Sequence, residues 1–497
     1  MTAHPVMAIY RGLESKRGRP ALFDGATMLT HGEVIGWVER AAAALAQRVA
    51  SGARVGLCAA NTWRHVIAYL AIMRAGAVWV PLNPRNGPRL NSEFASRANL
   101  DLVLCDDASA SALDPRLESV GLEPWLDVLP DDTPPRLHGA PESTFAIKFT
   151  GGSTGVPKGI VQTIRSGAKA MASLGTFYGF VAGDVNLAVA PLTHGSSHYV
   201  IPVLAAGGAH VVMAQPERGA ILEELKRRVS ISFMPPTLIQ LLISEAAFTP
   251  ADFPALRHLT YSAAPMAPAA IERAIARFGP VLSTVYGQTE APMTITGLQP
   301  HELARPQLYG SVGRAFEGTD VALLTGASEV VARGEGEVIV RGDLADTSYL
   351  DDPQQTAASR HQGWLKTGDV GRIDERGYLF LLGRSKEMII TGGYNVYPAE
   401  VERALSAHPD VREACAFGVA DEVWGERLEA AVSASGASEE TLRAFVRDQL
   451  GPVRTPKRLH LVEALPRNPV GKIVRSEVRD LIYNSKNAPP LGEETSI

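Results

Sequence analysis

The sequence has little cysteine, no surplus of positive charge and no long apolar run. Three cysteines, Cys58, Cys105 and Cys415, are scattered through 497 residues. Their spacing makes no metal-binding pattern, and a reduced, cytoplasmic setting is the expectation. Lys and Arg number 48 against 53 Asp and Glu, a net charge of −5. That balance leaves no basic footprint for nucleic acid. It still permits a locally basic cleft. No stretch approaches the roughly 20 apolar residues of a membrane span, and Met1 to Gly18 lacks the apolar core of a signal peptide. Internal repeats and low-complexity segments are also missing. What remains is the composition of a globular protein, 45% hydrophobic and 20% charged. The length exceeds what one core usually serves, so at least two domains are expected.

Short apolar runs alternate with helical patterns through the first three-quarters of the chain. Arg54 to Cys58 and Ala77 to Pro81 read as strands, joined by a helix that Asn61 or Thr62 can cap and that ends near Gly76. Further strands are expected at Val185 to Ala190, Ala209 to Met213, Ile231 to Met234, His258 to Ser262 and Val281 to Tyr286. Such alternation implies an α/β fold, with helices packed on mostly parallel sheets. Asp106 to Ser143, rich in Pro and Asp, reads as a surface excursion. After Gly383 the rhythm changes. A helix at Pro398 to Ala407, strands at Val411 to Gly418 and Leu428 to Ala434, and a helix from about Glu439 to Leu450 read as a small α+β domain. The expected division is a large domain over 1–383, a hinge at 384–386 and a small domain over 387–497, with a loose tail from about Asn484.

Phe149 to Gly159 reads Phe-Thr-Gly-Gly-Ser-Thr-Gly-Val-Pro-Lys-Gly, after an apolar run from Thr144 that reads as a buried strand. Glycines let backbone N–H groups approach an anion, hydroxyls add donors, and Lys158 adds charge. A Walker A loop would have a glycine where Val156 or Pro157 stands. An ordinary kinase or P-loop ATPase is therefore disfavoured.

Four more motifs follow in order: Tyr286-Gly287-Gln288-Thr289-Glu290; Thr367-Gly368-Asp369; Gly383-Arg384-Ser385-Lys386 with Gly392 to Glu400; and Pro466 to Ile473, which contains Lys472. Together with the glycine loop, this series resembles the adenylate-forming (AMP-binding) superfamily, in its acyl-CoA synthetase branch. The resemblance spans nearly the whole chain. It implies two half-reactions. A carboxylate first attacks the α-phosphate of ATP, giving an acyl-adenylate and pyrophosphate. A thiol then takes the acyl group, giving acyl-CoA and AMP.

The resemblance also implies roles. Thr150, Gly151, Gly152, Ser153, Thr154, Gly155 and Lys158 would wrap the β- and γ-phosphates. Ala263, Ala264 and Pro265, with Tyr286, Gly287 and Gln288, would form the adenine slot. Thr289 would bond the α-phosphate, and Glu290 would hold Mg²⁺, because a carboxylate near phosphates needs a cation between them. Asp369 and Arg384 would hold the ribose, with Asn395 also among the nucleotide contacts. Lys472 would bridge the substrate carboxylate and the α-phosphate, a task suited to a compact ammonium. Lys386 matches the hinge. Gly392, Gly393, Tyr394 and Trp424 would line the path of CoA, although Val453 and Thr455 replace an aromatic and an arginine found in some such ligases.

His194, in Pro191-Leu192-Thr193-His194-Gly195, matches a gate of the acyl pocket. His198, one helical turn on, is expected to face the same pocket. No aspartate stands here for an amino group, so a non-amino acid is expected. The apolar stretch Tyr199 to Ala206 suggests an aliphatic or aromatic acyl group. The partners expected are a small carboxylic acid, ATP, Mg²⁺ and CoA, with oligomeric state left open. Two rival readings remain: transfer of the acyl group to an amine or carrier protein, and a non-catalytic nucleotide-binding protein on the same fold.

Overall fold

The computed structural model describes residues 4–137, 139–150, 157–245, 247–467 and 473–483. Its strands form three sheets of seven, fifteen and five strands. The seven-stranded sheet runs in the order Thr347–Tyr349, Lys158–Thr163, Thr144–Thr150, Val78–Leu82, Arg54–Cys58, Leu102–Cys105 and Ser119–Gly121. From Thr144–Thr150 onward its neighbours are parallel. Helix Trp63–Arg74 crosses between two of these strands, and the Thr62 hydroxyl accepts from His65 N at its start. That bond satisfies one of the donors a helix N-terminus leaves open.

The large sheet has a parallel centre: Ala209–Val212, Val185–Ala188, Ile231–Met234, His258–Tyr261 and Leu282–Tyr286. Helices such as Pro268–Phe278 cover it, burying Ile271, Ala274 and Phe278 against Leu259 and Leu282. Beyond Leu282–Tyr286 the pairing turns antiparallel, through Thr296–Leu298, Ser311–Ala315, Leu379–Arg384, Trp364–Ile373, Gly334–Arg341 and Asp320–Leu324. The expectation of mostly parallel sheets thus holds for both sheet centres and fails from residue 296 to 384. The strands there, up to ten residues long, are joined by turns and helices of at most six residues, so no strand–helix alternation is left to read.

Asp106 to Ser143 is also more than a surface excursion. It contributes the edge strand Ser119–Gly121 and the helix Leu122–Asp127, whose Leu122, Trp125 and Leu126 enter the main core. Those three apolar side chains in six residues anchor the helix, despite its proline.

The five-stranded sheet holds Tyr394–Val396, Ile389–Thr391, Gly425–Ala434, Val411–Asp421 and Arg458–Leu461. Helices Pro398–Ser406 and Glu439–Leu450 close a core of Val396, Val401, Leu405, Ala430, Val432, Leu442 and Val446. This core takes all its residues from position 389 on, so a small α+β unit follows the large one. Ser385–Glu387 between them is a single 3₁₀ turn with no buried residue. Among the described residues no helix is long and apolar enough to cross a membrane.

Candidate active site

In an open parallel sheet, ligands collect beyond the carboxyl ends of the strands. Three of the sequence motifs sit there. Val185–Ala188 leads into the His194 segment, His258–Tyr261 into Ser262 to Pro265, and Leu282–Tyr286 into Gly287 to Glu290. The facing strand Thr144–Thr150 leads toward the glycine loop, and the chain returns as Lys158–Thr163, with Thr150 opposite Lys158. Gly151, Gly152, Ser153, Thr154 and Gly155 lie outside the described residues, as does Lys472. Arg467 and Ile473, on either side of the lysine motif, pair as an antiparallel bridge.

Gly287 has a steric reason. A Cβ there would stand 2.4 Å from the backbone nitrogen of Met293. The close approach lets Gln288 N donate to Ala291 O at 2.9 Å, folding the motif into a tight loop. Gln162 Nε2, from the other sheet, donates to Thr289 O at 2.8 Å. Thr347 Oγ1 donates to Glu290 O at 2.7 Å. The two sheets are therefore stitched together at Thr289 and Glu290 themselves.

Around the Glu290 carboxylate the structure adds a residue that sequence reasoning missed. Tyr349 OH donates to Glu290 Oε1 at 3.1 Å. Burial, then the charge of Glu290, pushes the Tyr349 hydroxyl well above its ordinary pKa, so it remains a donor. Lys158 Nζ lies 5.5 Å from the Tyr349 ring centroid and donates to Gln355 Oε1 at 3.0 Å. Lys158 and Glu290 thus flank one tyrosine, 132 positions apart in sequence by their numbers. Among the described residues no cluster of three metal-ligating side chains exists. A lone carboxylate fits a magnesium ion that takes most of its ligands from phosphates and water.

A second centre forms on Asp369, a buried residue in register with Arg384 on the neighbouring strand. Arg384 Nε lies 2.6 Å from Asp369 Oδ1. Tyr286 OH and Gln288 Nε2 each donate to Oδ2 at 2.6 Å. Gln288 Nε2 also donates to Thr367 O at 2.9 Å. Burial and the adjacent carboxylate hold the Tyr286 hydroxyl well above its usual pKa. Three residues from two other sequence motifs meet on this one carboxylate. Across the mouth, Ala263, Ala264 and Pro265 are exposed. Ala263 has φ +71°, a conformation that costs an L-residue about 1 kcal/mol.

His194 is exposed, and Thr193 Oγ1 lies 2.9 Å from its Nδ1. His198 is buried, at 3% exposure. The segment Gly195–Tyr199 is a 3₁₀ turn, so a spacing of four does not put both rings on one face. After them, Val200, Ile201 and Leu204 belong to the main hydrophobic core.

In the small unit, Gly392 and Gly393 form the turn between Ile389–Thr391 and Tyr394–Val396, at φ +56° and +80°. A Cβ on Gly392 would meet the Trp424 ring at 2.9 Å, whereas Gly393 faces open space. Trp424 is 41% exposed and Tyr394 59%, and Lys457 Nζ lies 4.1 Å from the Trp424 ring centroid. Asn395 sits in the same hairpin, its side chain outside the described residues. Lys386 is exposed in the Ser385–Glu387 turn.

Known proteins resemble this chain in sequence and fold. The chain is 33% identical over 351 residues to a medium/long-chain-fatty-acid–CoA ligase, FadD8, of Mycobacterium tuberculosis, covering 68% of this chain but 61% of that protein. It is 32% identical over 472 residues to a feruloyl-CoA synthase of an Amycolatopsis species, covering 92% of this chain and 95% of that one. Among solved structures, the amide bond synthetase McbA from Marinactinospora thermotolerans superposes with a TM-score of 0.87 at 31% identity, over 96% of this chain and 99% of that one. Residues 10–350 match the family described as AMP-binding enzyme, and residues 400–472 match the AMP-binding enzyme C-terminal domain. The chain belongs to the AMP-binding enzymes.

Proposed function

We propose that this protein is an ATP-dependent carboxylic acid–CoA ligase. It joins an acid to ATP as an acyl-adenylate with release of pyrophosphate, then transfers the acyl group to CoA with release of AMP. The observation that carries the reading is the convergence of Tyr286, Gln288 and Arg384 on Asp369, beside the loop that presents Thr289 and Glu290. An acceptor carboxylate held by three donors suits a ribose diol, and a facing loop with a carboxylate and a threonine suits the triphosphate.

In this reading Asp369 accepts from the ribose hydroxyls, and Tyr286 closes one side of the adenine slot opposite Ala263 to Pro265. Thr289 donates to the α-phosphate. Glu290, with the phosphates, would hold Mg²⁺, which would supply neutralisation of negative charge at phosphorus. Lys158 and the glycine loop hold the departing pyrophosphate. Lys472 draws the carboxylate and the α-phosphate together. The small unit, 387–497, then turns about 384–386 and brings Gly392, Gly393, Tyr394 and Trp424 to the acyl carbon. Trp424 and Tyr394 already present exposed aromatic surface on one edge of that unit.

A second reading, transfer to an amine, is favoured by the likeness to an amide bond synthetase over nearly the whole chain. One assay separates the two. A panel of carboxylic acids is scored for pyrophosphate release, then CoA or a primary amine is added to the preformed adenylate. Thioester formation supports the ligase. Amide formation with no thioester would replace it, and an absence of pyrophosphate release from every acid would sink both.

A further inference from the structure

Strand Thr144–Thr150 carries one charge, Lys148, inside an otherwise apolar run. It faces the same side of the strand as Thr150, two residues on and roughly 7 Å away. Lys148 is 7% exposed. Its Nζ lies 4.9 Å from the centroid of the Trp79 ring. Among the described residues it has no carboxylate partner and no hydrogen-bond acceptor. An unpaired buried ammonium costs several kcal/mol. Burial accordingly pushes Lys148 down to about 7.

Its neighbour is His198, close enough that the lysine's charge adds to burial in lowering the imidazole's pKa. His198 is therefore neutral. Its Nδ1 donates to Gly195 O at 3.2 Å, which leaves Nε2 as a bare acceptor, buried and without a partner. Trp79 Nε1, beneath the lysine, is also a buried donor without an acceptor. Buried polar atoms are nearly always satisfied. Two buried orphans, one donor and one acceptor, beside an unpaired ammonium describe a group that both accepts and donates. The place is close to the chemistry. Thr150 opens the glycine loop, and the Gly195 that orients His198 packs against Met293, three residues past Glu290.

We propose that Lys148 and His198 form a specificity site for a hydroxyl group on the acyl substrate. The hydroxyl oxygen accepts from Lys148 and its proton is donated to His198 Nε2. A phenolic or aliphatic hydroxy acid is the matching class. A plain hydrocarbon acid would leave all three groups unsatisfied, and sites of this kind discriminate by roughly 10⁴-fold or more. The inference rests on the ligase reading for its substrate.

The test uses matched pairs of acids: benzoate and 4-hydroxybenzoate, cinnamate and 4-hydroxycinnamate, hexanoate and 6-hydroxyhexanoate, with adipate as a second-anion control. Wild type and Lys148→Met are compared by kcat/KM for pyrophosphate release and by ligand-induced thermal shift without ATP. The expected result is at least a tenfold preference for one hydroxylated member in wild type. That preference falls to near unity or inverts in Lys148→Met, and the matched hydrocarbon acid keeps its rate. His198→Phe, which removes the acceptor and keeps a ring, should also erase the preference. An equal ranking of the pairs in wild type and variant overturns the assignment and leaves the ligase reading intact. So does a wild type without hydroxyl preference, which needs no variant. Selection of adipate through Lys148 overturns it in favour of an anion site. A hydroxy acid whose thermal shift depends on Lys148, but which is never adenylated, supports the site and overturns the ligase reading.

Discussion

Glu290 carries the most demanding assignment of any single residue in the site. Among the described residues its carboxylate is held by one donor, Tyr349 OH, and its backbone by Thr347. The fold around it therefore depends on its main chain more than on its charge. Glu290→Ala should leave thermal stability within about 1 kcal/mol of wild type, the loss of one hydrogen bond. Pyrophosphate release should fall by roughly 10²-fold or more, the scale of losing one charge-stabilising group. Titration with Mg²⁺ and calorimetry check the two halves, and near-wild-type turnover would remove Glu290 from the metal site. Lys472 offers the complementary case. Lys472→Ala should lower adenylation by several powers of ten, on the order of 3–5 kcal/mol, yet a supplied acyl-adenylate should still be converted to thioester. At this scale the sequence was most legible where motifs are contiguous. Tyr286, Glu290, Asp369 and Arg384 could be named from the motifs that carry the family resemblance, whereas Tyr349 could not, because only folding brings it beside Glu290. Lys148 left a signal that went unread: one charge within a run taken as an apolar strand.

The elements show the same division. Arg54–Cys58 and Ile231–Met234 are where the apolar runs place them, because a strand buried on both faces reads as a continuous hydrophobic segment. The antiparallel strands from Thr296 onward, up to ten residues long, are joined by turns and short helices, and their partners are set by those connections rather than by a period. The loop Gly287 to Glu290 joins these two regimes, where Leu282–Tyr286 pairs parallel on one side and antiparallel on the other. Its shape depends on a missing side chain. In Gly287→Ala, the new methyl would meet backbone rather than a movable side chain. Overpacking of this kind costs about 1–3 kcal/mol, and the strain falls on Gln288, which also holds Asp369. The expected outcome is a lowered urea midpoint together with a raised KM for ATP. A variant with unchanged KM would mean that the loop relaxes away from the nucleotide.

For the whole molecule, acid sensitivity follows from its buried imidazoles. His4, His65, His210 and His258 are each held down to about 4, by burial first in every case. In the unfolded chain a histidine titrates near 6.5. Between these values the unfolded state binds more protons, so stability is full above about pH 6.5 and declines as pH falls toward 4. Denaturant midpoints at pH 7.5, 6 and 5 should drop steadily, ahead of carboxylate protonation. A flat profile down to pH 4.5 would mean these rings are charged or exposed. Domain rotation makes its own prediction. Gly393→Leu should block thioester formation and spare pyrophosphate release, since that glycine has open space around it and touches no nucleotide motif. Lys386→Pro should act likewise, by stiffening the turn. Equal loss of both steps in both variants would exclude alternation. Arg384 bears on the same motion. It ends the strand that leads into the turn, and its ion pair with Asp369 fastens the joint to the nucleotide pocket. Under the proposed function, a ribose arriving at Asp369 would share that carboxylate with the arginine. Loading nucleotide would then slacken the clasp on the joint before any thiol is needed.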